Sequence, residues 1–287
     1  MTYRAAFPEL ATENGDGYVT DTGWGCMVRV GQMFAAHALM RFLKPTSKEQ
    51  VAEILKLFSD YDDSEMFSIQ NIVAVARRDY DLVAGKWYNP SQISYILVDL
   101  FRESQERRRF KGFDFLVLNN ATLFYDQLVM KMTGRTSICG CKKLKVVCKD
   151  CYRLRQSLAV VLLARIGLDQ PEKKYLKVLN KMMECKFFLG VLGGKPEKAL
   201  YFIGRINDNY IYLDPHMVQS GVGHHNFQQS FDSYFCESFR SCRNSSIDPS
   251  IGVAFYLETL EDLDEFYDCM SRIKENDPED FFIFSNL

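Results

Sequence analysis

Cys26 has the clearest setting for covalent chemistry: it follows Gly23-Trp24-Gly25 and opens a stretch of helical periodicity. A helix N-terminus presents unpaired N–H groups and a partial positive charge, and both stabilise a thiolate. The glycines let the chain turn sharply and bring backbone close to a substrate. The Cys26 N–H could also donate to an oxyanion. Such a cysteine is a candidate nucleophile, and the competing reading is a buried helix-start thiol that does no chemistry. A thiol nucleophile needs a base, and the chain has four histidines: His37, His216, His224 and His225. His37 falls inside the first helix and reads as structural, while His224 and His225 sit in a glycine-rich loop. His216 closes Leu213-Asp214-Pro215-His216 at the end of a strand-like run. Residues two apart on an extended chain point to the same side, so Asp214 can reach the imidazole and fix its tautomer. Pro215 ends the sheet pairing. The bland alternative is an Asp-Pro turn with an incidental histidine.

Three side chains distant in sequence need elements to carry them. The pattern from Cys26 to Phe42 is helical, with Val30, Phe34 and Ala38 on one stripe. Ser47 with Gln50 has capping-box spacing for a second helix. Two more helices are expected over Ile69–Arg78 and Ser91–Arg108, the latter entered through Asn89-Pro90. Strand-sized apolar runs follow at Phe113–Leu118, Leu158–Leu163, Phe187–Leu192, Leu200–Ile203, Tyr210–Leu213 and Gly252–Leu257. Helices interrupt them at Glu172–Glu184 and Leu260–Ile273. A helix-rich first half and a sheet-rich second half make an α+β chain. One catalytic unit is expected over 1–287, with about 60–111 an inserted helical subdomain and 276–287 a C-terminal tail.

Composition narrows the classes. Of 287 residues, 47% are hydrophobic and 25% charged, which excludes a largely disordered or collagen-like chain. With 35 basic and 37 acidic residues the net charge is -2, so no electrostatic footprint for nucleic acid or anionic membrane is present. No run approaches the ~20 apolar residues of a membrane span, and Met1-Thr2-Tyr3-Arg4 lacks a secretory pattern. A cytoplasmic location is therefore expected, with the nine cysteines mostly reduced. Four of them cluster as Cys139-Gly140-Cys141 and Cys148-Lys149-Asp150-Cys151. Such a set can hold a tetrahedral zinc, but free thiols or a redox pair are the preferred reading, and no metal or cofactor is expected. Arg107-Arg108-Arg109 reads as a solvated helix end.

The segment Thr20-Asp21-Thr22-Gly23-Trp24-Gly25-Cys26-Met27-Val28-Arg29 resembles the nucleophile segment of the autophagin family of cysteine peptidases. Ala199-Leu200-Tyr201-Phe202-Ile203-Gly204, followed by Ile211-Tyr212-Leu213-Asp214-Pro215-His216, resembles that family's Asp/His segment. Gly85-Lys86-Trp87-Tyr88, Gly190-Val191-Leu192-Gly193-Gly194-Lys195-Pro196, Ile247-Asp248-Pro249-Ser250-Ile251, and Tyr3-Arg4 with Phe7-Pro8 also match, in the family's order. The resemblance implies a papain-like α+β fold with a small inserted helical subdomain. By motif match, Cys26 would be the nucleophile, His216 the base and then acid, and Asp214 the orienter. Tyr3 would contribute to the oxyanion hole, Trp87 would cover the groove, and the loop around Lys195 and Pro196 would occlude it at rest.

The implied partner is a ubiquitin-like autophagy modifier. The implied activity is cleavage after that modifier's C-terminal glycine, in the precursor and in the conjugate with phosphatidylethanolamine. Membrane contact would come only through the lipidated substrate, and no nucleic acid is expected. In the tail, Glu279-Asp280-Phe281-Phe282-Ile283-Phe284 resembles the motif by which family members dock on the modifier by strand addition, with Phe284 where an aliphatic residue is usual. The alternative is a tail that packs its phenylalanines, Phe281 and Phe284 among them, onto its own domain. The rival functions are a catalytically silent modifier-binding protein, a deubiquitinase-like thiol peptidase, and a zinc-stabilised interaction module.

Overall fold

The computed structural model describes residues 1–10, 17–60, 65–120, 122–136, 152–236, 238–276 and 283–285, with backbone alone at 105–106 and 283–285. In chain order the strands are β1 (Tyr3–Leu10), β2 (Tyr18–Thr20), β3 (Phe113–Leu118), β4 (Thr122–Phe124), β5 (Ser157–Arg165), β6 (Phe188–Lys195), β7 (Lys198–Ile206), β8 (Asn209–Leu213), β9 (Val218–Ser220), β10 (Arg240–Arg243), β11 (Ser250–Leu257) and β12 (Ile283–Ser285). The helices are α1 (Cys26–Leu43), α2 (Lys48–Lys56), α3 (Ile69–Tyr80), α4 (Pro90–Glu103), α5 (Tyr125–Thr133), α6 (Lys173–Met183), α7 (Phe227–Ser230) and α8 (Leu260–Asn276). The mixture is α+β, as expected from the sequence.

The apolar runs form strands because both faces of the central sheet are buried, which makes such strands read as continuous hydrophobic segments. That sheet runs β10-β8-β7-β6-β11-β5-β3, antiparallel except for the β3–β5 pair. Alternate residues of β5 serve two cores: Ala159, Val161 and Leu163 face α1, α3 and α4, while Leu158, Val160 and Leu162 join α5, α6 and α8 on the other side. The α1 stripe Val30, Phe34 and Ala38 is buried, but so is nearly every other position from Cys26 to Ala36. So α1 is a central helix. Gly31 lets α4 lie close, because a Cβ there would stand 2.4 Å from the Ile93 side chain.

Residues within 60–111, expected as an inserted helical subdomain, lay Ile69, Ile72, Ile93, Leu97 and Phe101 into the same core as α1. The helix expected over Ser91–Arg108 ends at Glu103, because Ser104 is extended, and the three arginines lie in a short 3-10 turn, Gln105–Phe110. Asn89 and Gln92 do form a full capping box. At Ser47 the box is rearranged: Ser47 accepts the Gln50 N–H, but Gln50 reaches the Thr46 N–H at 2.7 Å. The first half also contains β1 and β2, which the pattern did not suggest. With β9 they form a small sheet in the order β2-β1-β9. Among the described residues no helix is long and apolar enough to cross a membrane.

Candidate active site

Cys26 sits at the N-terminus of α1, as its glycine-bounded setting implied. The turn before it is built on Asp21, whose carbonyl accepts the N–H groups of Trp24 (3.2 Å) and Gly25 (2.9 Å). Gly23 takes φ +88°, a left-handed value that glycine adopts without strain. Gly25, at the N-cap, has no side chain to cap the first turn, so no side chain competes there for the helix N–H groups.

His216 follows β8, and its Nδ1 lies 2.7 Å from Asp214 Oδ1. The same oxygen accepts the His216 backbone N–H at 3.0 Å. These two bonds leave Nε2 as the free face of the ring. Nε2 is buried and makes no hydrogen bond of regular geometry. The Cys26 thiol is nonetheless close enough for the two groups to shift each other. The hydrogen bond to Asp214, then the contact with Cys26, push His216 up to about 9 against the effect of burial. Asp214 is held down at about 2, chiefly by the His216 ring. Burial opposes ionisation of Cys26, yet the His216 ring, the Ala199 N–H and the Tyr3 hydroxyl outweigh it and bring the thiol below its ordinary range. The arrangement favours a thiolate beside an imidazolium steadied by a carboxylate.

Tyr3 is 5% exposed and its ring meets the His216 ring edge-on at 5.4 Å. Burial first, and then the Cys26 thiol, hold its phenol protonated, so its hydroxyl is a donor beside the sulfur. It is pinned by β1, which pairs in parallel with β9, and by its N–H on the Pro215 carbonyl at 2.8 Å.

A groove of about 160 Å³ opens over Cys26, lined by Trp87, Gly193, Gly194, Lys195 and Ser250 among others. Trp87 is 58% exposed, and its Nε1 donates to the Gly23 carbonyl at 2.9 Å, which ties one wall to the turn before Cys26. Lys195 lines the groove where β6 turns into β7, whereas Pro196 is exposed at the tip of that hairpin and does not line it. The hairpin approaches tightly: a Cβ on Gly194 would lie 2.1 Å from the Lys198 carbonyl oxygen.

Tyr3, Cys26, Asp214 and His216 therefore meet at one place, with Trp87 and Lys195 on its walls. His37 is remote from this chemistry and bonds the Tyr201 hydroxyl at 3.1 Å. His224 lies 3.0 Å from Glu65. Phe281 and the four cysteines at 139, 141, 148 and 151 lie outside the described residues. For Phe284 the backbone alone is described: it stands in β12, paired in parallel with β4. Among the described residues no group of three or more His, Cys, Asp or Glu side chains could hold a metal.

Sequence reasoning missed two supports. The first is a buried charge cluster behind Cys26. Arg29 Nε lies 2.7 Å from Asp21, Arg29 Nη1 lies 2.6 Å from Asp60, and Arg4 reaches Asp60 at 3.8 Å. Burial works against the Arg29 charge, but Asp21 and Asp60 outweigh it and hold the guanidinium firmly ionised. Its signal was an arginine among Met27, Val28 and Val30, since a charge inside an all-apolar helix must be paired. The second is Arg240 on β10, whose Nη1 donates to Asp214 Oδ2 at 2.9 Å. An exposed arginine gives no local signal of such a contact.

A family model described as "Peptidase C54 catalytic domain" matches residues 1–269. The chain is 30% identical to "Cysteine protease ATG4" of Medicago truncatula, over 96% of this chain and 58% of that relative. It is 31% identical to "Cysteine protease ATG4b" of Arabidopsis thaliana, over 93% and 57%. It is also 31% identical to "Cysteine protease ATG4B" of Xenopus laevis, over 93% and 71%. The chain thus spans less than two thirds of the length of the plant relatives.

Proposed function

This chain belongs to the peptidase C54 family, and on that premise we propose that it is a cysteine endopeptidase of autophagy. It would cleave after the C-terminal glycine of a ubiquitin-like modifier precursor and release the modifier from phosphatidylethanolamine. The observation that supports this most is the meeting of Cys26, His216 and Asp214, with Cys26 lining the groove.

The geometry supports the following chemistry. The Cys26 thiolate attacks the carbonyl carbon of the terminal glycine, and the charge that develops on oxygen is met by the Cys26 N–H and the Tyr3 hydroxyl. The imidazolium of His216 gives its proton to the departing nitrogen, an amide nitrogen in the precursor or the lipid amine in the conjugate. The neutral ring then takes a proton from water, which hydrolyses the thioester and restores the thiolate. Asp214 stays ionised throughout and holds the ring orientation. The groove lined by Trp87, Gly193 and Gly194 would admit a glycine at the cleavage position and exclude a side chain there. The hairpin carrying Lys195 and Pro196 would lift as the tail of the substrate enters.

The tail bearing Phe281 and Phe284 would dock on the modifier by strand addition. One edge of β12 lies on β4, and among the described residues no strand occupies its other edge. The protein would act in the cytoplasm and meet membrane through its lipidated substrate.

Turnover of a modifier precursor, of liposome-bound modifier conjugate and of a ubiquitin fusion, each by wild type and by Cys26→Ala, tests this reading. Cleavage of the first two by wild type alone is expected. Robust cleavage of the ubiquitin fusion would overturn the substrate, and modifier binding without turnover would overturn the enzyme.

A further inference from the structure

Asp214 has two oxygens with different work. Oδ1 accepts both the ring Nδ1 and the backbone N–H of His216. Oδ2 has one cross-strand partner, Arg240 Nη1 at 2.9 Å. Arg240 reaches it because β10 pairs antiparallel with β8, with Arg240 opposite Tyr212, two residues before Asp214. We propose that Arg240 is a positioning residue for this site: it clamps the far oxygen of Asp214, holds the carboxylate plane, and so keeps the near oxygen on the His216 ring. The inference rests on the triad reading given above.

Two physical effects follow. The clamp is charge-assisted, which makes it directional as well as attractive. It also sets the charge felt by the ring. A carboxylate shared between an arginine and an imidazolium gives less of its field to the imidazolium than one held by the ring alone. Loss of the arginine therefore loosens the ring and at the same time strengthens its hold on a proton. Among the described residues, the other charged or titratable groups facing this pair are few. Cys26 at the start of α1 and Tyr3 on β1 face the His216 ring. Tyr212 on β8 feels both Asp214 and Arg240, and Lys195 of β6 lies over the Tyr212 ring at 5.9 Å. None of these described groups replaces the bond from Arg240 to Asp214.

The test reads the pair directly. The pH-dependence of Cys26 alkylation by iodoacetamide, resolved from the other cysteines by peptide mass spectrometry, is measured for wild type, Arg240→Ala, Arg240→Lys and Arg243→Ala. Modifier-precursor kcat/KM is measured alongside. In Arg240→Ala the alkaline step, where the imidazolium loses its proton, moves upward, and kcat/KM falls roughly two- to fivefold, the span of one exposed charge pair. Arg240→Lys keeps the charge and holds the step near wild type. Arg243→Ala, on the same strand, leaves both readouts unchanged. An alkylation profile identical in wild type and Arg240→Ala overturns the proposal, as does an equal loss in the Lys and Ala variants. A wild type that fails to cleave the modifier, while the alkylation step still moves in Arg240→Ala, sinks the substrate reading and leaves the role of Arg240 standing.

Discussion

Asp21→Asn keeps the shape of the group behind Cys26 and removes its charge. Asp21 is wholly buried, and its Oδ1 accepts the Arg4 backbone N–H at 2.6 Å while Oδ2 accepts Arg29 Nε at 2.7 Å. Two arginines and two aspartates balance in the native cluster, each with its side chain no more than 2% exposed. An asparagine oriented to keep the Arg4 bond turns its NH₂ toward the Arg29 N–H, donor against donor. One uncompensated positive charge then remains in the core. Removing one partner of a buried pair costs about 3–5 kcal/mol. Against a total stability of roughly 5–15 kcal/mol this is a severe loss. Urea unfolding followed by circular dichroism measures it, with an unchanged m-value as the sign that the fold itself is kept. Arg29→Met should cost a similar amount, and the double variant should cost less than the sum by about 1–3 kcal/mol, because Arg4 and Asp60 are left as a balanced pair. An Asp21→Asn loss below about 1 kcal/mol, or strict additivity in the cycle, would refute the claim that these charges compensate one another.

Other expectations follow from the site. Asp214→Asn removes the largest cause that raises His216, so the alkaline limb of the rate profile should fall from about 9 toward the ordinary histidine range, with turnover cut by up to about 10⁴-fold; a limb that stays near 9 would contradict the role given to Asp214. The sign for stability is fixed by the same shift. His216 is raised in the folded state, so its contribution is complete below its ordinary value of 6.5 and is lost as pH rises through about 9, which urea titrations at pH 6 and 10 would show. Trp87→Ala should change stability by less than about 1 kcal/mol, since the side chain is largely exposed, yet relax the exclusion of residues larger than glycine at the cleavage position; a panel of precursors with alanine there measures the relaxation. Gly194→Ala should lower stability by about 1–3 kcal/mol and distort the groove, because the new Cβ meets backbone rather than a movable side chain.

The central strands were legible because they are buried on both faces, which turns β5, β7 and β11 into plain apolar runs. Cys26 and His216 were legible as candidates because each carries a local signal: glycines at a helix start for Cys26, a two-residue spacing to Asp214 for His216. The roles of Tyr3, Trp87, Lys195 and Pro196 came from resemblance alone, and the structure places the first three at the site and Pro196 at the hairpin tip. β1 was not legible. It contains Pro8 and Glu9, and its parallel partner β9 is more than 200 residues further along the chain. Long-range pairing leaves no imprint on a local window. Arg240 was hidden for the same reason, since its partner is on another strand and solvent-exposed arginines are common.

The parts of the site ride on different bodies, and the buried charges join them. Tyr3 and His216 travel together, because β1 pairs with the strand that begins two residues after His216. Cys26 travels with α1. Between these two bodies stands Asp21, which takes the Arg4 N–H from β1 on one oxygen and Arg29 of α1 on the other. Asp60 repeats the arrangement, accepting Arg29 on one oxygen and the Val222 N–H, just beyond β9, on the other. Each carboxylate is thus a splice between the helix that opens on Cys26 and the strand pair that holds Tyr3 and adjoins His216. A residue that only stabilised the fold would lower the folded fraction and leave the folded molecules fully active. A splice predicts more: at a urea-free temperature where Asp21→Asn and Asp60→Asn remain folded, kcat should fall with KM little changed, because the thiolate and imidazolium no longer meet in register. Wild-type kcat per folded molecule in both variants would show that these carboxylates hold the fold and not the alignment.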